Sequence, residues 1–265
     1  MTRSPAPGTV TLQRSGAIAS VTLSHPGRLN AISVAMWQEI VRILGELSSD
    51  PAVRCVVFRG ADGNFSAGGD ITEFPQERQD AGALFRYHQE IIAPALQAIG
   101  HCPLPTLAWI EGACVGGGLE IACQCDLRIA GAGARFGAPI RHLGFPMAPD
   151  ELGGLLAVAG RAVTLELLLE GRVLTSADAY AKGLLTRVVA DDSLEAEVTR
   201  VATDLAAGSA LVARINKETV RRLTPAAAPF SEAELRAFYA AWSDSADHRE
   251  GVNAFLEKRR PNFTV

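Results

Sequence analysis

Two glycine-rich segments, each entered from a short apolar run, constrain the fold of this chain more than any other feature. VRCVVF at 53–58 leads into GADGNFSAGGD at 60–70, and LPTLAWI at 104–110 leads into GACVGGG at 112–118. Apolar runs this short, closed by glycine, read as buried strands of a largely parallel sheet. Glycine lets a backbone approach a neighbour or a ligand and adopt conformations that a Cβ forbids. The second loop runs into a helical LEIAC at 119–123, which presents unpaired N–H groups at a positive helix start. Two such donors converging on one carbonyl oxygen make an oxyanion hole. Glu120, just past the second loop in a mostly apolar helix, stands where a carboxylate moves a proton beside that carbonyl.

The remaining pattern fits the same frame. TVTLQR at 9–14 and AIASVTL at 17–23 alternate about Ser15-Gly16, which predicts a hairpin. Helical spacing covers 33–48, with Ser33 as N-cap, and a second helix is expected over 81–99. DLRIA at 126–130 and TRVVA at 186–190 are short strands, and FGAP and LGFPMAP between 136 and 149 are loops. A helix starts near Asp150, where Asp150 or Glu151 suits the positive end. Thr175-x-x-Asp178 and Ser231-x-x-Glu234 read as capping boxes. Strands alternating with helices indicate an α/β fold of βαβ-type units. The helical tail makes either a small second layer or an arm on a neighbouring subunit, so the chain divides into a core at 1–195 and a helical region at 196–265.

Composition narrows the function. Of 265 residues, 48% are hydrophobic and 20% charged, a globular balance. A net charge of −4 and only three lysines, Lys182, Lys217 and Lys258, argue against a nucleic-acid partner. Five cysteines, an odd count, suit a reducing, cytoplasmic setting, and Cys123-x-Cys125 has no partner at a zinc spacing, so no metal is expected. MTRSPAPG has no apolar core of a signal peptide, and charges such as Arg161 and Glu166 interrupt the longest apolar stretches, which argues against a membrane. The phosphate-loop and HExxH motifs are absent. Asn64 spoils a nucleophile elbow around Ser66, and Asn64-Phe65-Ser66 matches a glycosylation sequon by chance.

FSAGGDITEF at 65–74, followed by IEGACVGGGLEIACQCDLRIAGAGARFGAPIRHLGF at 110–145, resembles the crotonase, or enoyl-CoA hydratase/isomerase, superfamily. HPGRLNAI at 25–32, residues 171–189 and FLEKRRPNF at 255–263 extend the resemblance over nearly the whole chain. It implies a crotonase-like spiral of ββα units with a helical C-terminal region, assembled as a homotrimer or a dimer of trimers. It implies an acyl-CoA thioester substrate, with coenzyme A part of the substrate and no separate cofactor. The backbone N–H groups of Gly69 and Gly117 would hold the thioester oxygen, and Glu120 would be the acid/base. Ala67, Gly68, Asp70 and Ile71 would line the CoA, and Arg28 and Lys258 would reach it; Thr72 stands where many members carry Lys.

The sequence departs from the family at the second catalytic glutamate, where FGxPE becomes FGAPI and places Ile140. Asp150 is then either a relocated acid or a helix cap, and Glu151 is open to the same question. Glu111 and His142 read as structural, and Asp126 and Arg128 as ion-pair partners. The resemblance implies an enoyl-CoA hydratase-like enzyme. Its alternatives are a double-bond isomerase, which needs only one base, an acyl-CoA hydrolase, or an acyl-CoA binder without catalysis.

Overall fold

Alternating apolar residues fold the N-terminal segment into β1 (Thr9–Ser15) and β2 (Ile18–Ser24), paired antiparallel with Thr9 opposite Ser24 and Ser15 opposite Ile18. The computed structural model describes residues 6–224 and 230–263, so most of the opening MTRSPAPG lies outside the described residues. Helix α1 (Val34–Ser48) begins where the Ser33 hydroxyl accepts the Met36 N–H at 3.3 Å, and it buries Met36, Trp37, Ile40, Ile43, Leu44 and Leu47. After β3 (Cys55–Gly60) and a 3₁₀ turn at Ile71–Glu73 come α2 (Phe74–Glu77), α3 (Ala81–Arg86), a π-helical turn at Tyr87–Ile92 and α4 (Ala93–Gly100). The single helix expected over 81–99 is thus interrupted by a wide turn, a device often found beside functional sites.

The second glycine segment holds more structure than the loop reading gave it. It runs from β4 (Thr106–Ile110) through β5 (Ala113–Val115) to α5 (Gly117–Gln124). Then follow β6 (Leu127–Gly131), β7 (Arg135–Gly137), α6 (Pro149–Glu170), β8 (Val173–Thr175), α7 (Ser176–Ala181) and β9 (Arg187–Val189). Helices α8 (Leu194–Ala207), α9 (Ala210–Leu223), α10 (Glu232–Ala240) and α11 (Ala246–Leu256) complete the described chain. A six-stranded sheet in the order β1-β2-β3-β4-β6-β9 is parallel from β2 onward, and β5, β7 and β8 form a small second sheet. Three-residue strands with glycine at their ends carry too little periodicity to be read, which is why β5 and β7 passed for loops.

The main core lies between the large sheet and the helices α1, α4, α5 and α6, around Trp37, Phe58, Phe65, Leu96 and Ile121. On the other face, Leu194, Val198, Val201 and Ala202 of α8 pack on Cys55, Val57, Leu107 and Ile129. The sheet is therefore covered on both faces, as parallel strands require, and α8 sits with the sheet although it falls in the 196–265 region. Helix α10 returns to α3, and α11 to a 3₁₀ turn at Pro139–Leu143, so the C-terminal helices close over the chain's own loops. The Ser231–Glu234 capping box forms, and Thr175 caps α7. Helix α6 is long and apolar enough to cross a membrane by length and composition. Its backbone leaves helical geometry at Gly160 (φ 69°, ψ 170°), which divides it into two pieces each too short to span a bilayer.

Candidate active site

Both glycine loops leave the carboxyl ends of parallel strands β3 and β4, where open α/β sheets gather their ligands. Side chains stitch the two loops together. Asn64 Oδ1 accepts the Ala113 N–H at 3.0 Å, and the Ser66 carbonyl accepts the Val115 N–H at 2.9 Å. Ser66 itself is fully buried, its hydroxyl donating to the Asn30 carbonyl at 2.8 Å and accepting the Gly68 N–H at 3.1 Å, so it serves as a structural bracket. Gly68 has φ +98°, which disfavours any side chain. A Cβ on Gly118 would lie 2.7 Å from the Ser66 carbonyl, so only glycine lets α5 start against the first loop.

This packing brings the backbones of Gly69 and Gly117 close together. The Ile32 N–H donates to the Gly68 carbonyl at 2.7 Å and the Asp70 N–H to the Ile32 carbonyl at 2.9 Å. That parallel bridge passes over the N–H of Gly69, between them. Gly117 opens α5, where a helical N–H has no acceptor within its own helix. The two glycines lie close: a Cβ built on Gly117 would be 3.5 Å from the Gly69 nitrogen.

One turn into α5, Glu120 is buried. Burial, reinforced by the neighbouring Glu151 and opposed by Arg78, pushes its carboxyl well above the usual carboxylate range. Glu151, in the first turn of α6, is also buried, and the buried His88 hydrogen-bonds its Oε1 through Nδ1. Burial lowers the affinity of His88 for a second proton, so Nδ1 donates and Nε2 is left without a partner. His88 stacks on Tyr239 at 5.4 Å between centroids, and Gln89 Nε2 donates to the Tyr239 hydroxyl at 2.9 Å, so α10 fixes this arm of the site. The Tyr87 hydroxyl lies 3.5 Å from the Cβ position of Gly69.

The residues singled out from sequence divide accordingly. Gly69, Gly117 and Glu120 come together. Asp150 is exposed at the start of α6, and the carboxyl that acts electrostatically on Glu120 is that of the next residue, Glu151. Ile140 is half-buried at the edge of the main core. Arg28 reaches the first loop, donating from Nη1 to Asp70 Oδ1 at 2.7 Å and to the Thr72 hydroxyl at 2.6 Å. Asp70 also accepts the Thr72 N–H and so caps the turn that starts at Ile71, while Ala67 faces outward. Lys258 is exposed just past α11. Lys217 pairs with Asp126 at 2.5 Å, but Arg128 donates to the carbonyls of Leu184 and Cys125 rather than to an acid. Among the described residues no cluster of His, Cys, Asp and Glu is arranged for a metal ion.

The enoyl-CoA hydratase/isomerase family model matches residues 13–265. The chain belongs to the enoyl-CoA hydratase/isomerase family. It is similar to a probable enoyl-CoA hydratase of Mycobacterium bovis, 33% identical over 97% of this chain and 98% of that protein. Among solved structures, an enoyl-CoA hydratase/carnithine racemase from Magnetospirillum magneticum is 41% identical, with a TM-score of 0.80 over 98% of this chain and 97% of that one. A methylmalonyl-CoA decarboxylase in complex with 2-nitronate-propionyl-CoA is 29% identical, with a TM-score of 0.86 over 96% of this chain and 98% of that one. The α/β architecture with C-terminal helices is thus the crotonase fold, and the chain is an acyl-CoA-processing member of the family.

Proposed function

We propose that this enzyme adds water to an enoyl-CoA thioester, holding the enolate in a two-glycine oxyanion hole. The observation that supports the reading is the close approach of Gly69 and Gly117, whose N–H groups lie outside the ladders around them, one helical turn from the buried Glu120. As water adds to Cβ, the electron pair of the double bond moves through the thioester to its oxygen, which both N–H groups stabilise. Glu120, whose carboxyl burial pushes well above the usual carboxylate range, gives its proton to Cα. Glu151, oriented by His88, takes the proton that the attacking water releases. This pair supplies from α6 the second carboxyl that Ile140 cannot, and it favours hydration over the one-base isomerase and over a binder without catalysis. Arg28, Asp70 and the loop Ala67–Ile71 hold the CoA end.

The experiment is the purified protein with crotonyl-CoA, followed by loss of the enoyl-thioester ultraviolet absorbance. Loss of absorbance supports hydration. CoA binding without any loss contradicts it.

The assembly is part of the same reading. Helix α9 has no buried residue, and Leu211 (68%), Ile215 (54%), Val220 (65%) and Leu223 (76%) are exposed along it. A groove of about 710 Å³ runs beside it at the amino ends of β4 and β6, away from Glu120, lined by Cys102, Pro105, Asp126 and Lys217. An apolar face of this kind marks an interaction surface, and we assign it to further copies of this chain in a trimer.

A further inference from the structure

Arg78 is the group in the site that the reaction above does not use. It follows α2 and is buried to 9% exposure, and its Nε and Nη1 are enclosed with no hydrogen-bond partner. Its guanidinium forms no ion pair among the described residues. Three rings crowd it, with centroids at 3.5 Å (Phe74), 4.3 Å (Phe145) and 5.2 Å (Tyr87), and its charge is felt by Glu120. Rings hold a guanidinium by its face and leave the in-plane N–H fork unsatisfied. A buried cation without an acceptor is costly unless a ligand supplies one.

The position of that fork is fixed by the site. The Tyr87 hydroxyl and the Phe74 ring edge both stand within 4 Å of the Cβ position of Gly69, and Arg78 packs on the same two rings. An acyl group whose thioester oxygen sits on Gly69 and Gly117 therefore lies beside the rings that hold the guanidinium. Arg28, paired with Asp70 and Thr72, belongs to the loop assigned above to the CoA end.

We infer that the acyl group carries a second carboxylate, a few bonds from the thioester, which the Arg78 fork binds. The inference rests on the acyl-CoA reading of the site. It makes the preferred substrate a short dicarboxylic acyl-CoA rather than a simple fatty acyl-CoA. Planar bidentate pairing with a carboxylate is what a guanidinium offers and an ammonium does not.

The test is equilibrium binding of two unreactive thioethers of matched length, carboxypropyl-CoA and butyl-CoA, with coenzyme A alone as a third probe. The wild type should bind the carboxylated thioether at least about tenfold more tightly, the order expected of one charge-assisted hydrogen bond. Arg78→Met should bring that ratio to about one, and Arg78→Lys should restore part of it. Equal affinities in the wild type overturn the inference, as does a ratio that survives in Arg78→Met. An equal loss of coenzyme A affinity in Arg78→Met also overturns it, because the guanidinium would then serve a CoA phosphate. Should Arg78→Met not fold, an unchanged ratio in Arg78→Lys has the same force. If butyl-CoA binds without a preference, only this inference falls. If none of the three probes binds, the acyl-CoA reading falls with it.

Discussion

Gly117→Ala isolates the oxyanion hole from the rest of the fold. The added methyl would stand 3.0 Å from Cζ2 and 3.4 Å from Cη2 of the buried Trp37, and 3.5 Å from the Gly69 nitrogen. The first contacts are tight and require a shift of a few tenths of an ångström, an overpacking that costs about 1–3 kcal/mol. For a chain this long, each 1 kcal/mol lowers Tm by about 2–4 °C. The third contact matters for chemistry. An oxygen held by both donors must lie about 2.7–3.1 Å from each nitrogen, and the methyl occupies that space. Loss of one donor costs about 2.7–4 kcal/mol of transition-state stabilisation, or about 10²–10³ in kcat. The rate loss and the stability loss separate in a double variant. Trp37→Phe removes both crowding atoms, so Gly117→Ala/Trp37→Phe should regain stability relative to Trp37→Phe alone without regaining rate. The assay is crotonyl-CoA turnover beside thermal unfolding for the wild type, both single variants and the double variant. A double variant that recovers the rate along with the stability refutes the reasoning, because the methyl would then have acted by distortion and not by filling the hole.

Three further outcomes follow from the site and the surface. Glu120 titrates well above the usual carboxylate range, so the folded state binds more protons than the unfolded one from about pH 4.5 up to that raised value, and stability falls as pH rises through this window. Glu120→Gln removes the ionised, desolvated form and should flatten the fall of Tm with rising pH across this window while abolishing turnover; a wild-type slope in differential scanning calorimetry contradicts this. Because Glu151 is one cause of the raised value, Glu151→Gln should move the upper limb of the pH–rate profile to lower pH as well as reduce the rate, and a limb that stays in place refutes the coupling. Leu211→Glu with Val220→Glu places charge on the exposed apolar face of α9 and should lower the sedimentation mass if this face joins the proposed trimer; an unchanged mass counts against the interface.

Much of this arrangement was legible in the sequence, for physical reasons that differ by element. The hairpin and α1 follow from periodicity over seven or more residues, and the buried strands β3 and β4 from apolar runs closed by glycine. The two glycine loops announce themselves because only glycine tolerates φ +98° at Gly68 or the approach of Ser66 to Gly118. The acid on α6 was harder to choose. Asp150 and Glu151 both suit a helix start, and only the helical phase separates them. Glu151 shares the inward stripe with Leu155, while Asp150 points out. Arg78, Tyr87 and His88 carried no signal of that kind. They lie in a stretch of short helices and a π-helical turn with no steady period, and their meeting with Glu151 and Tyr239 depends on contacts remote in sequence.

The central claim is that an enolate forms at the thioester and that Glu120 moves its proton. Exchange of the α-hydrogens of a bound saturated acyl-CoA with D₂O, read by mass spectrometry, tests this without requiring the full reaction. The wild type should incorporate deuterium at Cα, and Glu120→Gln should lose that exchange while still binding the thioester. Exchange at the wild-type rate in Glu120→Gln, or none in a wild-type enzyme saturated with the thioester, would contradict the account.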